Sequence, residues 1–266
     1  MIFINDIDDP RVSMYRNLKE IKDSHLNSGL FVAEGRKVAL QLLESNIEIV
    51  SVFALEEFYR DHSGLINSRG IDENMMYAAG RETMNSVVGF RIHSGIMILA
   101  KEPQPKALEE LGNRIVVMNG IIDSENVGAI IRNCAAFGID SVIADPSTSS
   151  PYLRRAVRVS MGTVFFTKIH YPADILSTLD LLRNSYGYRI TGAEITDTSI
   201  PLYDYTFPAR FALVFGAESQ GIAPGVINKC DDLVHIPINP VVNSINVAAS
   251  SAVILNQCAR DTGLTF

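Results

Sequence analysis

The chain has 266 residues, 47% of them hydrophobic and 20% charged, a balance that excludes a disordered protein and suits one large domain or two ordinary ones. Its formal charge is −7, and neither the first hundred residues nor the remainder is basic, so any contact with nucleic-acid phosphates must come from a local cationic patch. Cys134, Cys230 and Cys258 lack CxxC spacing, which argues against a disulfide framework or zinc site and for core thiols in a reducing cytosol. The opening MIFINDIDDP lacks the basic start of a signal peptide, and apolar runs such as 247–255 fall short of the roughly 20 residues of a membrane span. A soluble cytoplasmic protein is expected.

In chain order, a first helix is predicted to carry Arg11, Arg16, Lys19 and Lys22. A strand over 30–33, a helix over 36–45 and a strand over 49–54 follow, and short α/β alternation continues to Ala100. Two prolines and several charges in KEPQPKALEELG mark residues 101–112 as a linker. Beyond it, strands are predicted over 114–118, 141–144, 164–169, 188–193, 211–215 and 233–236, most of them separated by helices. That alternation predicts a largely parallel sheet covered on both faces. Between Asp145 and Asp174 no acidic residue occurs, while Arg154, Arg155, Arg158 and Lys168 do. This unbalanced cluster makes Arg154, Arg155 and Arg158 the expected RNA-phosphate contacts.

Three segments join strand-like runs to small or polar residues. In NVGAIIRNCAAFG, Val127, Ile130, Ile131, Cys134 and Ala135 form the apolar stripe of a helix, with Arg132 on the opposite side and Asn126 placed to precede and cap it. In LVFGAESQGI, Gly216 and Gly221 allow tight backbone geometry or close ligand approach at the end of a buried strand. In IPINPVVNSINVA, Ser244 is the expected cap of a long small-residue helix, with Asn246 in its first turn.

Read together, these segments resemble the three motifs of the SpoU/TrmH family, knotted methyltransferases that move a methyl group from S-adenosylmethionine to a ribose 2′-hydroxyl of RNA. The resemblance covers most of 113–264. It implies an α/β fold whose C-terminal, mostly parallel sheet contains a deep trefoil knot. It assigns Asn126, Arg132, Glu218, Ser244 and Asn246 to the catalytic pocket and Gly216, Ile236, Ile238 and Ile245 to the cofactor. The second motif departs from the commonest family form, GNEGQG, at Ala217 and Ser219 and keeps the carboxylate. The third has Pro240 where a glycine is usual. More loosely, GLFVAEGRKVALQLLESN resembles the smaller, ribosomal-protein-like RNA-binding domain of the ribosomal-RNA branch, giving domains at 1–100 and 113–266. Family members are homodimers, so a homodimer is expected.

The leading reading is therefore an RNA 2′-O-ribose methyltransferase acting on ribosomal RNA, with a transfer-RNA 2′-O-methyltransferase as the alternative. A noncatalytic RNA-binding protein that keeps the knotted fold, or a small-molecule α/β enzyme, are the other classes. The five histidines lack metal-ligand spacing, no GxSxG elbow is present, and no GxGxxG joins a strand to a helix. Neither a metal nor a nicotinamide cofactor is expected.

Overall fold

The computed structural model describes residues 1–16, 18 and 29–264. They divide into two compact units, Met1–Pro103 with Tyr152–Phe165 and Gln104–Pro151 with Phe166–Phe266.

The first unit is built on a five-stranded mixed sheet. Its elements are β1 (Ile2–Phe3), β2 (Leu30–Glu34), α1 (Arg36–Glu44), β3 (Ile49–Ala54), α2 (Glu56–Asp61), α3 (Ser63–Ser68), β4 (Met76–Ala78), α4 (Arg81–Val88) and β5 (Ile96–Lys101). The strand order is β1-β4-β3-β5-β2. β5 runs antiparallel to both β2 and β3, which leaves it buried from Ile96 to Ala100. α1 turns Val38, Ala39, Leu42 and Leu43 inward, the spacing of an amphipathic helix.

The first helix predicted around Arg11 and Arg16 is instead a 3₁₀ turn, Pro10–Tyr15, started by the Asp9 carboxylate accepting from Arg11 N at 2.9 Å. Arg16 follows in an extended conformation, and the anchor of the turn is its last residue, Tyr15. It is fully buried; its hydroxyl donates to Ser51 O at 3.0 Å and accepts from Leu99 N at 3.2 Å, pinning the turn to β3 and β5. Burial pushes its phenol well above the ordinary range. Lys19 and Lys22 lie outside the described residues.

The second unit carries β6 (Arg114–Asn119), α5 (Ser124–Ala136), β7 (Ser141–Ala144), β8 (Lys168–His170), α7 (Ile175–Asn184), β9 (Arg189–Ala193), β10 (Ile200–Pro201), β11 (Phe211–Gly216), α8 (Pro224–Ile227), β12 (Asp232–His235) and α9 (Val247–Asp261). The helix between β7 and β8, α6 (Arg154–Val159), belongs to the first unit. There Phe31 of β2 packs against Tyr152 and Phe165, with ring centroids 5.2 and 5.7 Å apart. The single strand predicted over 164–169 is broken in two. Met161 and Gly162, at φ 56° and 85°, turn the chain into a 3₁₀ segment, Thr163–Phe166, before β8 begins.

All seven strands of the second unit pair in parallel, in the order β10-β12-β9-β11-β6-β7-β8. Every residue of β11 is buried, as a central strand covered on both faces requires. β6, β7 and β8 run outward on one side of β11, while β9, β12 and β10 lie on the other. The chain thus reverses its direction of spread across β11, and the carboxyl ends of β9, β11 and β12 converge where open parallel sheets place their ligands. No helix among the described residues is long and apolar enough to cross a membrane.

Candidate functional site

A cavity of about 410 Å³ opens at these strand ends, within the range of small-molecule sites. Its walls come from Glu194 after β9, the loop from Gly216 to Gly221 after β11, and the segment from His235 to Val247 between β12 and α9. Gly216, Glu218, Ile236, Ile238, Ser244, Ile245 and Asn246 all line it.

Asn126 is buried in the first turn of α5 and does not cap it. Asp123 is the cap, its carboxylate accepting from Glu125 N at 2.8 Å, because the helix starts two residues before Asn126. That shift frees the Asn126 amide. Its Nδ2 donates to Glu218 Oε1 at 2.7 Å, and its Oδ1 accepts from Asn246 Nδ2 at 3.0 Å.

Asn246, rather than Ser244, caps α9, with Oδ1 accepting from Ala248 N at 2.9 Å and Ala249 N at 3.3 Å. Donor and acceptor roles follow without ambiguity. A carboxylate only accepts, so Asn126 must donate to Glu218; Asn246 must then donate to Asn126 and accept from the helix amides. The chain Asn246, Asn126, Glu218 is therefore directional and joins all three motifs.

Gly216, besides lining the cavity, answers a steric demand of the loop itself. A Cβ there would sit 2.2 Å from Gly221 C and Ile222 N, so the returning arm of the loop occupies that space. Ala217 and Gly221 close the loop by exchanging hydrogen bonds at 2.9 Å in each direction. Pro240 occupies the second position of a turn in which Val242 N donates to Asn239 O at 3.0 Å, a position that suits its fixed φ.

The remaining assignments separate. Arg132 is exposed on α5 and has no hydrogen-bond or ion-pair partner among the described residues. Six residues from Asn126, it lies ~9 Å along the helix and roughly 120° around it, and it does not line the cavity. Arg154 is in the first unit and half-buried. It is paired with Glu34, donates to Leu18 O at 3.2 Å and lies over the Phe90 ring at 5.0 Å. Arg155 and Arg158 are exposed on α6.

Several residues that support the site carry weaker signals in the sequence. Asn133, seven residues and two turns after Asn126, donates to Ala248 O and to Ser251 Oγ, both at 2.9 Å, fastening α5 to α9. Asn119, at the end of β6, accepts from Ala223 N at 2.9 Å and donates to Asp145. Asp145 is 4% exposed and also accepts from Gly120 N, Ser147 N and the hydroxyls of Ser147 and Thr148. Polar residues ending two buried strands are the signal here. Glu194 belongs to none of the three motifs. Cys230 is half-buried, and desolvation pushes its thiol up to about 12. No group of three or more metal-ligating side chains occurs among the described residues.

An uncharacterized tRNA/rRNA methyltransferase of Mycobacterium bovis is 28% identical over 96% of this chain and 90% of its own. The 23S rRNA (guanosine-2′-O-)-methyltransferase RlmB of Acinetobacter baylyi is 27% identical over 68% of this chain and 77% of its own. Two solved structures of an rRNA methyltransferase from Sinorhizobium meliloti, one of them AdoMet-bound, superpose with TM-scores of 0.83 and 0.82. Their identities are 20% and 19%, and each superposition covers 99% of this chain and 98% of the other. The family model of the SpoU rRNA Methylase family matches residues 113–256, from the start of β6 into α9 and more than half of the protein, and the chain belongs to that family.

Proposed function

We propose that this RNA methyltransferase transfers a methyl group from S-adenosylmethionine to a ribose 2′-hydroxyl, with ribosomal RNA as its substrate. The observation that carries the reading is the directional chain Asn246, Asn126, Glu218 at a cavity of nucleoside size. Three segments, distant in sequence, meet there with one consistent hydrogen-bond polarity. The separate first unit and the likeness to a 23S rRNA methyltransferase favour ribosomal over transfer RNA.

The cavity suits the cofactor. Phe215, Ile236, Ile238, Ile245 and Ile254 supply apolar walls for a heterocycle, and Glu194, Glu218, Ser244 and Asn246 supply polar groups. Gly216 serves this site by letting the loop return across its strand. When bound, S-adenosylmethionine supplies an electrophilic methyl group on sulfur.

A 2′-hydroxyl is a weak nucleophile that must lose its proton as it attacks. A guanidinium offers five donors and no acceptor for a proton, so Arg132 is read as a donor to the substrate and not as its base. Its role in this reading is to hold a neighbouring phosphate and stabilise the developing alkoxide. Asn126 fixes the Glu218 carboxylate, so that loop and helix present a rigid edge to the ribose.

The reading includes the trefoil knot and the homodimer that the family implies. Arg132 points away from its own chain's hydrogen-bonded cluster, so a second protomer is the means by which both reach one substrate. Incubating the purified protein with labelled cofactor and either ribosomal or transfer RNA, then mapping 2′-O-methyl groups, tests the proposal. Label in one ribosomal nucleotide, from a dimeric protein, is expected. Label on a base, or transfer RNA as the sole acceptor, contradicts it.

A further inference from the structure

Among the described residues, Glu194, Glu218 and His235 are the titratable side chains lining the cavity, and no lysine or arginine is in its walls. Glu218 is tied to Asn126, whereas Glu194, at the end of β9, is held against the returning arm of the loop that carries Glu218. Its position is built with care. Glu194 N donates to Val234 O at 3.0 Å, its Oε2 accepts from Ile222 N at 2.8 Å, and its Oε1 accepts from Ile195 N at 3.1 Å. A Cβ on Gly221, which sits at φ 68°, would lie 2.2 Å from Glu194 Oε2. The glycine thus leaves the room that the carboxylate fills. A carboxylate offers about four acceptor positions, and these two amides occupy two. The acid is anchored by backbone, keeps acceptor capacity, and lines the cavity.

We infer that Glu194 is a specificity-determining residue that makes the cavity select a positively charged methyl donor over its uncharged thioether product. This rests on the S-adenosylmethionine reading above. In the transfer, the bond from sulfur to methyl breaks with its electron pair left on sulfur, an oxygen–methyl bond forms, and the hydroxyl proton passes to solvent water. The ligand's net charge falls by one. A cavity holding two carboxylates and no fixed cation loses attraction for the ligand at that moment, which favours product release. A unit charge about 10 Å away, at an effective dielectric constant of roughly 35, changes affinity about fivefold.

Calorimetric titration of the full-length protein with S-adenosylmethionine and S-adenosylhomocysteine, at low and high salt, tests this. Glu194→Gln is expected to shift the ratio of the two dissociation constants about fivefold toward the product, while Glu194→Asp keeps the wild-type ratio. Raising salt should shift the wild-type ratio the same way. If Glu194 only anchors the loop, Glu194→Gln weakens both ligands equally and the ratio stands, which overturns the inference. Should Glu194→Gln bind neither ligand, the wild-type ratio decides, and one that is independent of salt also overturns it. A wild-type protein that binds neither ligand overturns the cofactor reading itself.

Discussion

Asn246 Nδ2 donates to Asn126 Oδ1 across 3.0 Å, so the residue that caps α9 also orients the amide that holds Glu218. Isosteric changes at these two positions should have unequal effects. Asn246→Asp keeps the acceptor for Ala248 N and Ala249 N and should leave thermal stability within about 0.5 kcal/mol, yet it removes the donor to Asn126. Asn126→Asp sets a second carboxylate where the donor stood, 2.7 Å from Glu218 Oε1. Methylation should fall about tenfold in the first variant and more than about a hundredfold in the second. Single-turnover rates compare them; equal rates for the two would dissolve the directional chain.

Arg132 is exposed and has no partner among the described residues, so Arg132→Ala should change stability by less than about 0.5 kcal/mol and leave cofactor affinity intact while abolishing transfer. Arg132→Lys should also be severely impaired, because an ammonium keeps the charge without the planar fork that grips a phosphate. Rates at saturating RNA and cofactor check both. Near-normal turnover for Arg132→Ala would remove this residue from the chemistry.

The arginines of α6 should divide into two kinds. Arg154→Ala leaves Glu34, whose side chain is 12% exposed, without its partner and should destabilise the first unit by about 1–3 kcal/mol. Alanine at the exposed Arg155 or Arg158 should instead weaken RNA binding, more so at high salt. Denaturant unfolding and filter binding on the same three variants separate these effects.

Asp232 accepts from Arg189 Nε at 2.6 Å and Nη2 at 2.8 Å, and from the Tyr205 hydroxyl at 2.8 Å. Those bonds, the Arg189 pair first, hold its carboxyl below the ordinary value despite partial burial, which acts in the opposite direction. The same cluster raises the Tyr205 phenol to about 12, chiefly through burial. A depressed folded-state value means stability that is present above the unfolded value near 4 and is lost as pH falls through the lower folded one. With Arg189 half in solvent, Asp232→Asn should cost about 1 kcal/mol at pH 7 and progressively less below pH 4. Urea unfolding at both pH values measures it.

Residues 141–144 and 49–54 are legible as strands because short apolar runs rich in β-branched residues, bounded by polar turns, have few other solutions. The strand over 164–169 misleads for the same reason: Val164 and Phe165 are buried, but in a 3₁₀ turn set by the backbone at Met161 and Gly162. The motifs locate the cavity, whereas the hydrogen bonds that organise it join residues 92 and 120 positions apart, beyond the reach of any local pattern. Capping shows the limit most plainly. Asp123 and Asn126 are both good caps, and only the observed start of α5 decides between them. The glycine at 216 is legible as a steric demand, but the atoms that impose it belong to the loop's own return. Arg154 looks available in sequence because the acid that engages it, Glu34, is 120 positions away.

The excursion of Tyr152–Phe165 into the first unit governs how this protein can be cut or recombined. A fragment ending at Pro103 would leave Phe31 uncovered, and a fragment starting at Gln104 would carry Tyr152, Val157 and Phe165 with nothing to bury them. No single junction yields two self-sufficient pieces. An exchange of the first unit between relatives must bring its own α6 and splice it in through two further junctions, near Pro151 and Phe166. The two units must therefore be engineered together, and a truncated second unit should be sticky and poorly soluble unless those three side chains are made polar.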